Sequence, residues 1–426
     1  MVLRTVDARS KTSGCLLFFL GFVLGACTSE RKDGGPLSDG SVDDGPTDDD
    51  PESDPPDESV EVIIIGAGAA GLAAARILEA AGTTYQILEA EDHYGGRVQK
   101  DETFADFPID LGAEWIHTHK SILNELLEIP GDEPEMETFL YRPMDIYLLS
   151  GSDYTKYPEA ELEVFYASYI EEYKFKSATW YDYLSDYFAE GVRSQIVYNT
   201  RVTELDYSGE QVAVMTEEGS IYAADQVILT VSVGVLQFGS LRFLPELPTA
   251  KKEAIDSVEF LPGFKLFMKF DQRVYPEVIS CSTPSGEKTF YDAAYQKDSE
   301  DHVLALISTG ASAQRYYELG DTDATVQAVL DELDPVWDGA ASAHYTGEYL
   351  YMDWGTPVTT QGTWTSNRAG QDIHEQLTAP LADKIFFAGE TYKVDDPSYM
   401  RGAVHGAILS GYASADAVLA ERERLD

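Results

Sequence analysis

The stretch Glu61-Val62-Ile63-Ile64-Ile65-Gly66-Ala67-Gly68-Ala69-Ala70-Gly71 determines the fold that the sequence predicts. Its first residues are rich in β-branched side chains, which is typical of a strand buried on both faces. The strand runs directly into a glycine turn and then into an alanine-rich segment, which predicts a helix that continues to Ala81 and ends at Gly82. We therefore expect a strand, a turn and a helix in that order.

This turn suits the phosphates of a dinucleotide. Gly66 allows a tight turn, Gly68 lets the backbone approach a pyrophosphate, and Gly71 lets the helix pack closely on the sheet. The positive N-terminal end of the helix would then point at the phosphates. A second strand, Tyr85 to Leu88, would deliver Glu89, an acid placed to bind ribose hydroxyls. The complete order of these elements predicts a Rossmann-like nucleotide-binding domain.

Five further motifs follow along the chain, namely Gly95-Gly96-Arg97, Asp110 to His117, Val227 to Leu236, Phe264-Lys265-Leu266-Phe267, and Phe387-Ala388-Gly389-Glu390 followed by Tyr399 to Ala407. They occur in the order found in the flavin-containing amine oxidases, a family that the chain resembles from about Val60 to its C-terminus. The resemblance is to polyamine and monoamine oxidases, and it implies FAD as the cofactor. It also implies an α/β fold in which an FAD-binding Rossmann-like domain of glutathione-reductase type carries an inserted α+β substrate domain.

By this resemblance the FAD-binding domain would be discontinuous. It would comprise residues 60–116, 201–240 and 356–426, and the substrate domain would comprise residues 117–200 and 241–355. Helical periodicity in Glu159 to Val192 and alternation in Gly263 to Phe270 predict a helical part and a strand of that substrate domain. Between Ile116 and Arg201 the chain is shorter than is usual in the family, so we expect a reduced helical part.

The resemblance also implies roles for single residues at the cofactor. Glu89 would hold the adenosine ribose, Arg97 the pyrophosphate, Val202 the adenine through its backbone, and Glu390 the ribitol. A helix predicted over Gly402 to Leu419 would place its positive end beside the flavin and favour its reduction. The residues expected to bind FAD are Gly66, Gly68, Ala70, Gly71, Glu89, Ala90, Gly96, Arg97, Gly112, Ala113, Glu114, Trp115, Val202, Gly389, Glu390, Ala403 and Val404.

One lysine matches a catalytic position of the family. Alternation along the predicted strand places Lys265, Phe267 and Lys269 on one face and the four apolar residues between and around them on the other. The pattern alone favours a solvated lysine face, an interpretation that we keep for Lys269. Lys265 matches the lysine that holds a water against flavin N5.

Three further side chains match positions near the flavin. Trp364 and Tyr399 correspond to two facing aromatic rings between which an amine would pass, with ordinary core packing as the alternative. His117 would hydrogen-bond the substrate amine or serve a structural role. Thr363 stands where monoamine oxidases carry the cysteine that tethers FAD, so FAD is expected to bind non-covalently.

The implied reaction is oxidation of a C–N bond of a polyamine or another primary or secondary amine. A hydride would pass from the α-carbon to flavin N5, water would release an aldehyde and an amine, and oxygen would reoxidise the flavin to give hydrogen peroxide. An L-amino-acid oxidase or related flavin oxidoreductase is the alternative. The amino-acid oxidase would need an arginine for the substrate carboxylate, with Arg242, Arg315 and Arg368 as candidates. An anchored flavin- or amine-binding module without turnover is a third possibility.

The chain is strongly acidic, with a formal net charge of −45 over 426 residues. Such a charge repels nucleic acid and attracts cationic ligands, although a general adaptation for solubility or salt would produce it too. His117 and His119 form a His-x-His pair, but no Cys, His or acidic cluster has metal-ligand spacing, so no metal is predicted.

The N-terminus predicts export. Basic residues precede an apolar run, Cys15 to Ala26, that is too short to span a bilayer and suits a signal peptide. The run ends in Leu24-Gly25-Ala26-Cys27, which resembles a bacterial lipobox, so residues 1–27 would be a signal peptide ending in a lipidated cysteine. An ordinary signal peptide is the alternative.

Residues 28–59 would form a disordered acidic linker. We thus expect a secreted lipoprotein anchored to the cell envelope, with Cys281 the one cysteine left and no internal disulfide.

Overall fold

A computed structural model of the chain describes residues 60–127, 134–169, 171–366, 373–396 and 398–425. The predicted signal peptide and acidic linker lie outside these residues. The strands are β1 Val60–Ile65, β2 Tyr85–Leu88, β3 Lys100–Asp101, β4 Ile109–Asp110, β5 Thr138–Leu140, β6 Ile146–Ser150, β7 Asp153–Lys156, β8 Tyr173–Phe175, β9 Ile196–Val197, β10 Val202–Asp206, β11 Val212–Thr216, β12 Ile221–Leu229, β13 Arg242–Leu244, β14 Gly263–Phe270, β15 Val278–Cys281, β16 Lys288–Asp292, β17 His302–Thr309, β18 Tyr345–Asp353 and β19 Ile385–Phe387. The helices are α1 Ala69–Ala81, α2 Ile122–Glu125, α3 Glu159–Ser168, α4 Trp180–Leu184, α5 Val233–Gln237, α6 Thr249–Asp256, α7 Ala311–Tyr317, α8 Thr322–Leu333, α9 Ala340–His344, α10 His374–Thr378 and α11 Val404–Leu425.

The first sheet is built around β1, as the opening strand of the sequence predicts. β1 lies between β12 and β2 and pairs in parallel with both. β2 pairs in parallel with β9, and the second half of β12 pairs in parallel with β19. The first half of β12 pairs antiparallel with β11, followed by β10 and β13. Because parallel strands end at one edge, the residues that follow β1, β2, β12 and β19 meet there.

Helices α1 and α11 cover one face of this sheet and begin near the same edge. They cross closely: an ideal Cβ at Gly411 would lie 2.2 Å from the carbonyl oxygen of Ala70. The predicted end of α1 is confirmed, since Gly82 caps it with φ +72°. α11 begins two residues later than predicted, because Gly402 has φ +76° and therefore lies outside helical geometry, and the helix continues past Leu419 to Leu425.

The second sheet has the strand order β18-β14-β17-β16-β15-β6-β7. The predicted strand Gly263–Phe270 is confirmed as β14, and its alternation is confirmed too. Phe264, Leu266, Met268 and Phe270 pack into the core beneath α7 and α8, whereas Phe267 packs into the core on the opposite face. Lys265 therefore belongs to the face opposite α7 and α8.

The continuous helical region predicted over 159–192 is wrong. α3 ends at Ser168, and β8 follows, because residues 173–175 pair antiparallel with β5. Helical structure restarts at α4, where the Thr179 side chain accepts from the amide of Asp182 and the Asp182 carboxylate accepts from the amide of Thr179. Helical periodicity predicted α3 and α4, but the conformation of the segment between them is set by its pairing with β5.

The first sheet extends beyond the residue ranges predicted for the FAD-binding domain. β9 and β13, at 196–197 and 242–244, pair with β2 and β10, although the predicted ranges placed both with the substrate domain. Both are short edge strands without a hydrophobic run of their own. Among the described residues, no helix has the length and apolar character that crossing a bilayer requires.

Candidate active site

A cavity of about 1510 Å³ lies at the edge where the parallel strands end, and it reaches the Lys265 side of the second sheet. Most of the residues predicted for the site line it. These are Gly66, Gly68, Ala70, Glu89, Ala90, Gly96, Arg97, Gly112, Ala113, Glu114, Trp115, His117, Val202, Lys265, Trp364, Gly389, Glu390, Ala403 and Val404. Gly71 and Tyr399 do not line it.

The glycine turn has the geometry of an anion cradle. Gly66 adopts φ +102°, and an ideal Cβ at Gly71 would lie 1.9 Å from the carbonyl oxygen of Gly66, so Gly71 seats the helix against the turn and not against the cavity. No side chain caps the N-terminus of α1 at Gly68, and its first turn carries no acid. The amides there remain available to phosphate oxygens.

A second helix presents its N-terminal end to the same cavity. Gly402, Ala403 and Val404 line the cavity at the start of α11, whose first turn also lacks an acid. The positive ends of a 13-residue and a 22-residue helix thus face one space. Such an environment suits a ligand that carries phosphate groups and gains negative charge on reduction.

Glu89 is held by the backbone at the end of β2. Its carboxylate accepts hydrogen bonds from the amides of Ala67 at 2.6 Å and Glu91 at 3.0 Å, and burial raises its pKa. Ala90 and Val202 line the cavity beside it. Its position at the strand end agrees with the predicted contact to a ribose.

Arg97 and Glu390 belong to one network. Arg97 Nη1 donates to the Thr363 carbonyl at 2.5 Å and to Glu390 Oε1 at 3.1 Å. Glu390 also accepts from the Thr365 hydroxyl at 3.0 Å and from the Gly402 amide at 3.1 Å. Sequence reasoning assigned the two side chains to different parts of the cofactor and did not foresee that they contact each other. The uncapped turn, Glu89 and this network together fit a dinucleotide such as FAD.

Lys265 is buried in a charged cluster. Its ammonium donates to Glu114 Oε2 at 2.7 Å and to the Asp110 carbonyl at 3.0 Å. Glu114 also forms an ion pair with Lys174 and accepts from the Tyr291 hydroxyl at 2.5 Å. Burial alone would raise the pKa of Glu114, but the charges of the two lysines outweigh burial and lower it. No local pattern pointed to Lys174 or Tyr291, which reach Glu114 through the pairing of β8 and β16 with their neighbouring strands.

A second polar group lies around His117. Its Nδ1 is 2.7 Å from Oε1 of Glu172, a carboxylate that is 6% exposed, and Glu172 and Glu287 both line the cavity. Oε2 of Glu172 accepts no hydrogen bond from any described residue. Burial raises the pKa of Glu287 to about 7, and the charge of Glu172 acts in the same direction. The acidic composition predicted an attraction for cationic ligands, but these two carboxylates were not identified from the sequence.

The two predicted aromatic residues differ in their surroundings. Trp364 lines the cavity and packs against the core on the Lys265 face of the second sheet. The Tyr399 hydroxyl donates to the Glu390 carbonyl at 3.2 Å, and burial raises the pKa of Tyr399 to about 12. Met400, its neighbour, lines the cavity instead. Among the described residues, no group of His, Cys, Asp and Glu has the arrangement of a metal site.

Known proteins are similar to this chain in sequence. Residues 69–131 and 125–419 match the family model of flavin-containing amine oxidoreductases. Polyamine oxidase 4 of Oryza sativa subsp. japonica is 28% identical over 439 residues, covering 83% of this chain and 88% of the relative. That alignment is longer than the whole chain of 426 residues, so the relative carries insertions that this chain lacks.

Solved structures show the same fold. Putrescine oxidase bound to putrescine superposes with a TM-score of 0.68 at 16% identity, over 85% of this chain and 99% of its own. Cyclohexylamine oxidase from Brevibacterium oxydans superposes with a TM-score of 0.68 at 18% identity, over 86% of this chain and 100% of its own. The predicted fold, an FAD-binding α/β domain with an inserted substrate domain, is thereby confirmed. The chain belongs to the flavin-containing amine oxidoreductases and is an FAD-dependent oxidoreductase that acts on amines.

Proposed function

We propose that the substrates are diamines or polyamines, that is, amines with a second cationic group, and that the products are an aldehyde, ammonia or a smaller amine, and hydrogen peroxide. The observation that carries this proposal is the pair of carboxylates, Glu172 and Glu287, beside His117 in the cavity. The names of the relatives, polyamine oxidase and putrescine oxidase, agree with this substrate class.

The two carboxylates are suited to a cation. Burial and the neighbouring Glu172 raise the pKa of Glu287, and a bound ammonium would favour the ionised form of Glu287. The unsatisfied Oε2 atom of Glu172 can accept an N–H from such an ammonium, since buried polar atoms are nearly always hydrogen-bonded. The overall charge of −45 would attract the same ligand from solution.

The residues of the chain would prepare the amine for oxidation. FAD, when bound, accepts the hydride from the carbon next to the amine nitrogen. His117 Nδ1 lies 2.7 Å from the Glu172 carboxylate, which leaves Nε2 as the ring nitrogen that can hydrogen-bond the substrate amine. Lys265 uses two of its three N–H groups on Glu114 and Asp110, and its third can hold a water at the cavity. Trp364 supplies an aromatic surface for the amine.

Glu172→Gln and Glu287→Gln should each raise the KM for putrescine and spermidine by about tenfold to a hundredfold, because a charge-assisted hydrogen bond is lost. The KM for benzylamine, which has no second cation, should change far less in Glu287→Gln, whereas Glu172→Gln also removes the carboxylate partner of His117. Glu171→Gln is the matched control, since Glu171 is exposed and bonds Tyr173 instead. Anaerobic bleaching of the flavin by each amine, together with steady-state kinetics, measures these effects.

Other substrate classes have distinct outcomes in that assay. Reduction by amino acids but by no amine would favour the amino-acid oxidase, and a flavin that no compound reduces would favour a binding module without turnover. The arginines considered for a substrate carboxylate are paired with protein carboxylates wherever the structure describes them. Arg242 and Arg315 pair with Glu204 and Glu332, Arg368 lies outside the described residues, and the cavity-lining Arg97 and Arg201 are bonded to Glu390 and Glu217.

Diamine binding should strengthen as the pH rises from about 6 to about 8. The pKa of Glu287 is raised to about 7, so this carboxyl is neutral below that pH and becomes a carboxylate above it, while the distal ammonium stays protonated. KM measured across this range should fall for putrescine in the wild type. Glu287→Gln should remove the part of the pH dependence that benzylamine does not share. A wild-type KM for putrescine that parallels the benzylamine KM at every pH would contradict this assignment.

FAD is proposed to be held without a covalent bond. Thr363 stands where monoamine oxidases carry the tethering cysteine, and threonine has no thiol that could attack the flavin. The Thr363 hydroxyl donates to the Leu261 carbonyl at 2.9 Å. Heat denaturation should therefore release all flavin into the supernatant with the mass of unmodified FAD. Yellow colour or fluorescence that stays with the denatured polypeptide would refute this expectation.

Export and lipid anchoring are a separate proposal that rests on residues 1–59, which lie outside the described residues. The basic start, the apolar run and the lipobox-like Leu24-Gly25-Ala26-Cys27 support it. A Cys27→Ser chain should lose the lipid and leave the membrane fraction, and the mass of the N-terminal peptide of the native protein tests the same point.

A further inference from the structure

Lys174, on β8, lies inside the protein behind Lys265. Its ammonium forms an ion pair with Oε1 of Glu114, and the Lys265 ammonium lies 2.7 Å from Oε2 of the same carboxylate. Only 1% of Lys174 and 5% of Lys265 is exposed. Two buried cations thus share one carboxylate, and the three side chains together carry a net positive charge.

Aromatic rings surround the Lys174 ammonium. The ring centroids of Trp115, Tyr141 and Tyr291 lie 5.0, 5.1 and 5.1 Å from its Nζ. Rings at this distance offset part of the desolvation of a buried cation. A buried ion cluster can often be replaced as a whole by apolar groups of similar shape without loss of stability, whereas removing one partner alone is destabilising. Fold stability alone therefore does not account for a second lysine at Glu114.

The cluster faces the cavity with one side only. Glu114, Trp115 and Lys265 line the cavity, whereas Lys174 is not part of its lining. Any influence of Lys174 on a bound cofactor therefore acts through Glu114 and through its electric field. A fixed charge acts strongly in such a water-poor site.

We propose that Lys174 is a positioning residue, which holds one oxygen of Glu114 so that Lys265 bonds the other, and which adds a fixed positive charge behind the site where FAD is reduced. This inference rests on the proposed placement of Lys265 beside the flavin. Substrate need not touch Lys174 for this role.

Neighbouring groups respond to the same charges. Burial and the charge of Lys174 lower the pKa of Lys297 to about 8. Burial and the Glu114 carboxylate raise the pKa of Asp110 to about 7. Asp110 also supplies the backbone carbonyl that accepts from Lys265.

The test is the midpoint potential of the bound FAD in Lys174→Met, measured by dithionite titration against a reference dye. Methionine keeps the length and apolar character of the side chain but removes the charge. We expect the potential to become more negative, and the rate constant for flavin reduction by putrescine to fall about tenfold. Lys174→Arg retains the charge and should stay near the wild-type potential.

Lys288→Met is the matched control. Lys288 is 4% exposed, forms an ion pair with Glu332, and lies 5.4 Å from the ring centroids of both Phe290 and Tyr316. It belongs to the same sheet as Lys265 but does not line the cavity or contact Glu114. This variant should leave the flavin potential unchanged.

The outcomes separate this inference from the proposed function. If Lys174→Met has the same flavin potential as the wild type, the proposed role of Lys174 is wrong. The role is also wrong if Lys174→Met and Lys174→Gln both fail to fold while Lys288→Met folds, because Lys174 would then be needed for folding. The titration needs no amine. A wild type that no amine reduces would therefore refute the proposed function while the potentials still decide the role of Lys174.

Discussion

The Gly71→Ala variant is expected to be produced with little or no FAD. An added Cβ would lie 1.9 Å from the Gly66 carbonyl oxygen and 3.3 Å from the Thr230 hydroxyl, so α1 would have to move away from the turn. Overpacking of this kind costs about 1–3 kcal/mol or more. The shift would also move the amides at the start of α1 away from the phosphates that they are proposed to bind.

Flavin absorbance per chain and the melting temperature measure both consequences. Gly191→Ala is the control, because Gly191 is exposed and an added Cβ there would meet no atom within 4 Å. Gly71→Ala should lose FAD and melt earlier, while Gly191→Ala should resemble the wild type. A Gly71→Ala protein with one FAD per chain and an unchanged melting temperature would show that the turn is not the cofactor cradle.

The elements that the sequence predicted are those that local patterns determine. β1, the glycine turn, α1 and β14 can each be predicted from a short run of residues. A strand buried on both faces is continuously apolar, a turn with positive φ requires glycine, and a strand between two different environments alternates. The family motifs then placed Lys265, Glu89 and Trp364 in one cavity. These predictions depended on residues close to one another in the chain.

The residues that sequence reasoning missed reach the site through long-range pairing. Glu172 reaches the cavity and Lys174 reaches Glu114 because β8 pairs with β5 inside a segment predicted to be helical. Tyr291 lies on β16, whose register with β15 and β17 sets its direction. Tyr399 was predicted from its motif to face Trp364 in the cavity. In the structure its hydroxyl donates to the Glu390 carbonyl, and Tyr399 does not line the cavity.

Lys265→Met should slow the reaction of the reduced enzyme with oxygen by about a hundredfold, the scale of one lost acid–base or proton-holding group. The substitution removes the ammonium that donates to Glu114 and to the Asp110 carbonyl, and with it the third N–H, which would hold water at the cavity. Glu114 keeps Lys174 and the Tyr291 hydroxyl as partners, so the carboxylate is not left uncompensated. The variant should therefore still fold and bind FAD.

Lys269→Met separates the chemistry of Lys265 from the general effect of losing a lysine on β14. Lys269 lies on the same face of the strand, donates to Asp301 at 3.2 Å, and is not part of the cavity lining. Stopped-flow oxidation of the photoreduced enzymes compares the variants without any amine present. Slow oxidation in Lys265→Met but not in Lys269→Met would support the role of Lys265 in the reaction with oxygen, because Lys265 lines the cavity and Lys269 does not. Equal rates in both variants and the wild type would instead make Lys265 a purely structural partner of Glu114.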